Sequence, residues 1–157
     1  MKTKTTVGVA AAKHIQIILL ASILLFAYSC KDDDEEDDVR GNDTFKATLS
    51  GLSEVPPNAS MATGIATLTY NKDSRIFSII VDYSGIVATA GHIHKGETIE
   101  SGAVVFPFSS PLTSPVNYTS APLTDEQESD LYDHLYYVNL HSALFPQGEI
   151  RGQLIKQ

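Results

Sequence analysis

The chain has 157 residues, 43% of them hydrophobic, with 11 basic against 19 acidic residues and a formal net charge of −8. That length bounds it to about one domain once its ends are set aside, since domains typically run ~100–200 residues. An acidic surface repels phosphate backbones, which sets nucleic acid aside as a partner.

Lys2, Lys4 and Lys13 precede an apolar run from Ile15 to Ala27, which stops at Tyr28-Ser29-Cys30. A basic lead followed by a short apolar stretch fits a secretory signal better than a membrane span, which needs about 20 residues. Cys30 is the single cysteine, so it has no partner for an internal disulfide. The segment AYSC resembles the lipobox of bacterial lipoproteins, whose cysteine is acylated and becomes the mature N-terminus. Residues 1–29 are therefore expected to be a lipoprotein signal peptide, and Cys30 to carry a lipid that holds the protein on the membrane. That lipid implies an outer membrane lipoprotein, on the cell surface or the periplasmic face.

Residues 30–43 read as an acidic tether. Seven consecutive acids, Asp32 to Asp38, repel one another and cannot bury a core. A lysine and an acidic run behind a lipobox also resemble the export signal that places lipoproteins on the outer surface of some Gram-negative bacteria. Beyond the tether, from Asn42 onward, 6 basic residues face 12 acidic ones, net −6.

From Thr44 the pattern is β. TFKATLSG puts Phe45, Ala47 and Leu49 on one face by alternation. SEVPPNAS then reads as a loop, because two prolines interrupt a ladder. MATGIATLTYN and SRIFSIIVDYSG are the second and third strands, and the turn chemistry of Asn71-Lys72-Asp73-Ser74 predicts a hairpin between them. GHIHKG is a short fourth strand. AVVFPF is a fifth, which Pro107 sends to an edge or ends early. The polar, proline-bearing SSPLTSPVNYTS follows. Thr124-Asp125-Glu126-Gln127 has the form of a capping box and predicts one short helix from about Asp125 to His134. YYVNLHS and EIRGQLI close the chain as a hairpin across ALFPQG. Seven short strands predict an all-β sandwich or Greek-key barrel.

Alternation also assigns faces. Tyr136, Val138, Leu140, Ile150, Leu154 and Ile93 take core positions, so His92, His94 and His141 share the opposite, polar face. Two imidazoles two residues apart on a strand, joined by a third, make a ligand set that copper or zinc accepts, with Glu149 or a water as a candidate fourth ligand. The alternative is that these histidines only hydrogen-bond to carboxylates or backbone and fix loop geometry. Glu54, Glu149 and Arg151 are further polar positions with a binding or structural role, and an ion pair from Arg151 to Glu54 or Glu149 would pin the EVPP loop to the last strand. Tyr137 and Tyr118 read as exposed aromatics. No nucleophile-and-base pairing stands out, so no catalytic residue is assigned.

Together, FKATLSG with LSEVPP (45–57), ATGIA (62–66), YSG (83–85), GHIHKG (91–96), and YVNLHSA with GEIRGQ (137–153) resemble the chordin-type, or CHRD, domain. The resemblance covers the whole of residues 44–157 but for the last two. It implies an immunoglobulin-like or Cu,Zn-superoxide-dismutase-like Greek-key β-sandwich with one short helix. The family occurs as repeats in chordin, an extracellular antagonist of bone morphogenetic proteins, and as single domains in exported bacterial proteins. Three readings follow, in this order: a tethered, non-catalytic module binding an extracellular protein or glycan; a copper- or zinc-binding domain using His92, His94 and His141; and an oxidoreductase akin to superoxide dismutase. The last lacks an intrachain disulfide and a further histidine suited to bridging metals, and its acidic surface would repel superoxide.

Overall fold

Strict alternation of Phe45, Ala47 and Leu49 with polar residues builds β1 (Asn42–Ser50), whose three apolar side chains are all buried. The computed structural model describes residues 41–157. The expected signal peptide, Cys30 and most of the acidic tether lie outside the described residues. The tether is shorter than expected at its far end, because Asn42 and Asp43 already pair with Asn71 and Tyr70.

After a 3-10 turn (Gly51–Ser53) the chain runs through β2 (Thr63–Asn71) and β3 (Ile76–Ser84), the expected antiparallel hairpin. Next come β4 (Ala88–Lys95), β5 (Ala103–Pro107), β6 (Val116–Thr119), α1 (Asp125–Tyr132), β7 (Tyr136–Ser142), β8 (Ile150–Gln153) and β9 (Ile155–Lys156). The strands form one antiparallel sheet in the order β5-β4-β7-β8-β1-β2-β3-β6, with β9 beside β1. Phe106 of β5 and Phe77 of β3 lie far apart along that path, yet their rings meet edge to face at 5.0 Å. The sheet therefore curls until its two ends close over a shared core. The fold is all-β and sandwich-like, with one short helix, as the alternation implied.

Two strands went unread. β6 hides in the proline-bearing stretch and pairs with β3 at the sheet edge, and β9 is only two residues long. β5 occupies the other edge and ends at Pro107, as expected. The helix stops two residues early, since His134 adopts φ 58°, outside the helical region. Its capping box is present in full: Gln127 N donates to Thr124 Oγ1, and Thr124 N donates to Gln127 Oε1. Among the described residues no helix is long and apolar enough to cross a membrane.

β7 decides where a site can form. All seven of its residues are buried, not only the core-facing Tyr136, Val138 and Leu140. A strand buried on both sides needs a second cover. Here the 51–58 segment and the 96–102 loop supply it: Asn58 Nδ2 donates to Glu149 O at 3.0 Å, and Ser101 Oγ to Val55 O at 3.3 Å.

Candidate metal centre

Antiparallel pairing sets β4, β7 and β8 side by side, with His94 opposite Tyr137 and Tyr137 opposite Gln153, and with His92 opposite Asn139 and Asn139 opposite Arg151. His141 stands opposite Ala90, diagonal to His92. The three histidines of the polar face therefore converge. Their ligand nitrogens all lie within 4.8 Å of one another.

Two of the three rings are oriented by their other nitrogen. His94 Nδ1 donates to Gly102 O at 3.0 Å, and His141 Nδ1 donates to Pro146 O at 3.2 Å. Both rings thus turn a lone pair on Nε2 toward the cluster. His141 Nε2 accepts from His92 Nδ1 at 3.1 Å, whereas His94 Nε2 is buried without any partner. A buried polar atom without a partner costs free energy unless something fills the gap. Burial holds all three imidazoles below the ordinary histidine value, and the neighbouring charges of the other histidines and of Arg151 act in the same direction. They are neutral at pH 7, the state a metal ligand needs.

The remaining residues of the face divide. Glu149 is buried, but its Oε1 accepts from Ser60 Oγ at 2.7 Å and the carboxylate is not among the groups gathered round the histidines. Glu54 and Asn139 line a cavity of 340 Å³ beside His94 and His141. Burial pushes the Glu54 carboxyl up to about 7 against the opposing pull of Arg151. The ion pair expected of Arg151 does not form. Its guanidinium donates instead to the carbonyls of Glu97 and Glu100 at 2.6 and 2.7 Å, and lies 3.4 Å from the centroid of the Tyr137 ring. Two loop carbonyls in line with a planar fork satisfy the guanidinium without a carboxylate. Arg151 is therefore a scaffold residue that ties the 96–102 loop to β8.

Tyr137 is the second correction. Read as exposed, it is 2% accessible, stacked on His94 with the ring planes 6° apart, and its hydroxyl accepts from Gly102 N at 2.9 Å. Tyr118 is partly buried against the core. Gly102 is the residue that sequence reasoning passed over: its carbonyl anchors His94 and its N–H anchors Tyr137. A Cβ there would fall 1.6 Å from Lys95 O, so only glycine fits.

The model of the CHRD domain family matches residues 45–154. The chain belongs to the CHRD family. Compared with curated proteins and with solved structures, it matches none. Every residue of the cluster lies within the CHRD match, as do Glu54, Gly102, Asn139, Glu149 and Arg151.

Proposed function

We propose that this CHRD domain holds one transition-metal ion, copper or zinc, through His92 Nδ1, His94 Nε2 and His141 Nε2, as a binding module and not as a catalyst. The observation that carries this reading is the pair of preset rings: His94 and His141 each use Nδ1 on a backbone carbonyl and present Nε2 inward. Backbone anchoring of the distal nitrogen is how metal-ligating histidines are commonly held. A metal–nitrogen bond of about 2.0–2.1 Å places tetrahedral ligand nitrogens about 3.3 Å apart. The His92–His141 pair, at 3.1 Å, already meets that spacing. His94 needs only a modest side-chain movement. The ion takes the place of the proton between His92 and His141, and His92, the most exposed of the three rings, moves its proton to Nε2. Glu149 stays on Ser60, so the fourth position falls to water or an added ligand.

We also propose that the domain is presented as an outer membrane lipoprotein, acylated at Cys30 after removal of residues 1–29. The support is the sequence alone: the basic lead, the apolar run and the acidic residues 32–38 after the cysteine.

Elemental analysis and copper and zinc titration of the purified protein, beside a His92→Ala/His94→Ala variant, test the first reading. One ion per chain that disappears in the variant supports it. Absence of metal, or equal uptake by the variant, leaves the histidines as a hydrogen-bonding scaffold. Mass spectrometry of the mature N-terminus tests the second, and an unmodified Cys30 would exclude it.

A further inference from the structure

Resting on the three-histidine reading, we infer that the ion this site selects is monovalent copper, in preference to zinc or divalent copper. The first ground is charge. The ligand set brings no negative charge, because all three ligands are imidazoles and Glu149 is engaged by Ser60. Behind His94 stands a permanent cation. Arg151, only 2% exposed, lies 3.4 Å from the Tyr137 centroid, and Tyr137 stacks on His94 with centroids 5.0 Å apart. The guanidinium carbon is thus no more than about 8.4 Å from the His94 ring. At an effective dielectric near 20, repulsion across that distance weakens binding by about 30-fold for each unit of charge on the ion. A dication loses that factor twice. Its desolvation penalty also grows with the square of its charge, in a cluster where two of the three rings are buried.

The second ground is coordination number. No carboxylate joins the three nitrogens, because Glu149 is engaged by Ser60, so a fourth ligand would have to come from the adjoining cavity. Zinc and divalent copper take four or more ligands and would recruit water or an anion. A monovalent ion with a filled d shell is satisfied by three nitrogens.

The test is competition under anaerobic conditions on the wild-type protein. Cuprous ion is titrated against a chromophoric cuprous chelator, and zinc and cupric ions against chelators of their own. Cuprous binding at one per chain, tighter than either dication, with about 30-fold of that preference due to Arg151, is the expected result. Arg151→Met should then narrow that preference by about the same factor. A purely structural loss would weaken all three ions alike. Zinc or cupric ion bound as tightly as cuprous overturns this inference and leaves the metal reading standing. Absence of any binding, or cuprous binding that survives His94→Ala, overturns both.

Discussion

Asn139 Nδ2 donates to Glu54 Oε2 at 3.4 Å, while the other oxygen of each side chain, Glu54 Oε1 and Asn139 Oδ1, is buried with no partner. The two unpartnered oxygens border the same space, since a Cβ on Gly148 would lie 2.7 Å from one and 2.8 Å from the other. One proton resolves both. A protonated Glu54 donates from Oε1 to Asn139 Oδ1 and closes an acid–amide ring, which agrees with its carboxyl being pushed up to about 7 by burial. The unfolded chain ionises near the ordinary value of 4.5. Stability from this pair is therefore full below pH 4.5, declines as pH rises toward 7, and is flat above. The loss is on the order of 3 kcal/mol. Glu54→Gln supplies the same donor and acceptor at every pH. Urea unfolding should show the variant ahead of the wild type above pH 7, with the difference vanishing toward pH 4. The histidines, held low, lose stability in the opposite sense as pH falls below 6.5, but equally in both proteins. Parallel stability curves would sink the acid–amide pair.

Arg151→Lys keeps the charge and loses the geometry. An ammonium cannot make the two forked bonds to Glu97 O and Glu100 O or lie flat on Tyr137. With Arg151 buried, the expected cost is roughly 2–4 kcal/mol, read as a lower urea midpoint at unchanged slope. A change below about 0.5 kcal/mol would mean that the 96–102 loop is held by something else.

Thr124→Ala removes the acceptor for Gln127 N and breaks one half of the capping box. The side chain is exposed, so nothing but the cap is lost. Thermal unfolding should report about 1 kcal/mol of destabilisation, and Thr124→Ser should restore most of it.

What sequence could and could not show follows from the range of each interaction. Phe45, Ala47 and Leu49 announced their strand because alternation is local, and Thr124 with Gln127 announced the helix start because a capping box spans four residues. The convergence of His92, His94 and His141 was legible too, since period-2 patterning puts them on one face. What covers that face was not. Tyr137 lies beneath segments 51–58 and 96–102, which return over β7 from distant parts of the chain, so alternation alone reads it as exposed. Arg151 misled for a related reason. Its partners are backbone carbonyls of Glu97 and Glu100, which no side-chain pattern reveals, and carboxylates were the visible candidates. Val116 and Tyr118 went unread as β6 because a four-residue strand directly after Pro115 carries too little alternation to register.

Gly102 offers the sharpest separation of site from scaffold. Its carbonyl accepts from His94 Nδ1 at 3.0 Å and its N–H donates to the Tyr137 hydroxyl at 2.9 Å, so one peptide unit sets both the ligand and the ring stacked on it. In Gly102→Ala the new Cβ would collide with Lys95 O at 1.6 Å, and the loop must shift. Once the carbonyl moves, His94 loses the bond that fixes its tautomer and aims Nε2. Loss of such an outer partner typically costs about 10–100-fold in metal affinity. Thr98→Ala, on the same loop, is the control, because its side chain is exposed. Isothermal titration with the metal should show the Gly102 variant weakened by that factor and the Thr98 variant near wild type, with far-ultraviolet circular dichroism unchanged in both. Equal affinities in the two variants would detach His94 from Gly102 as a functional pair, even if the ion still binds.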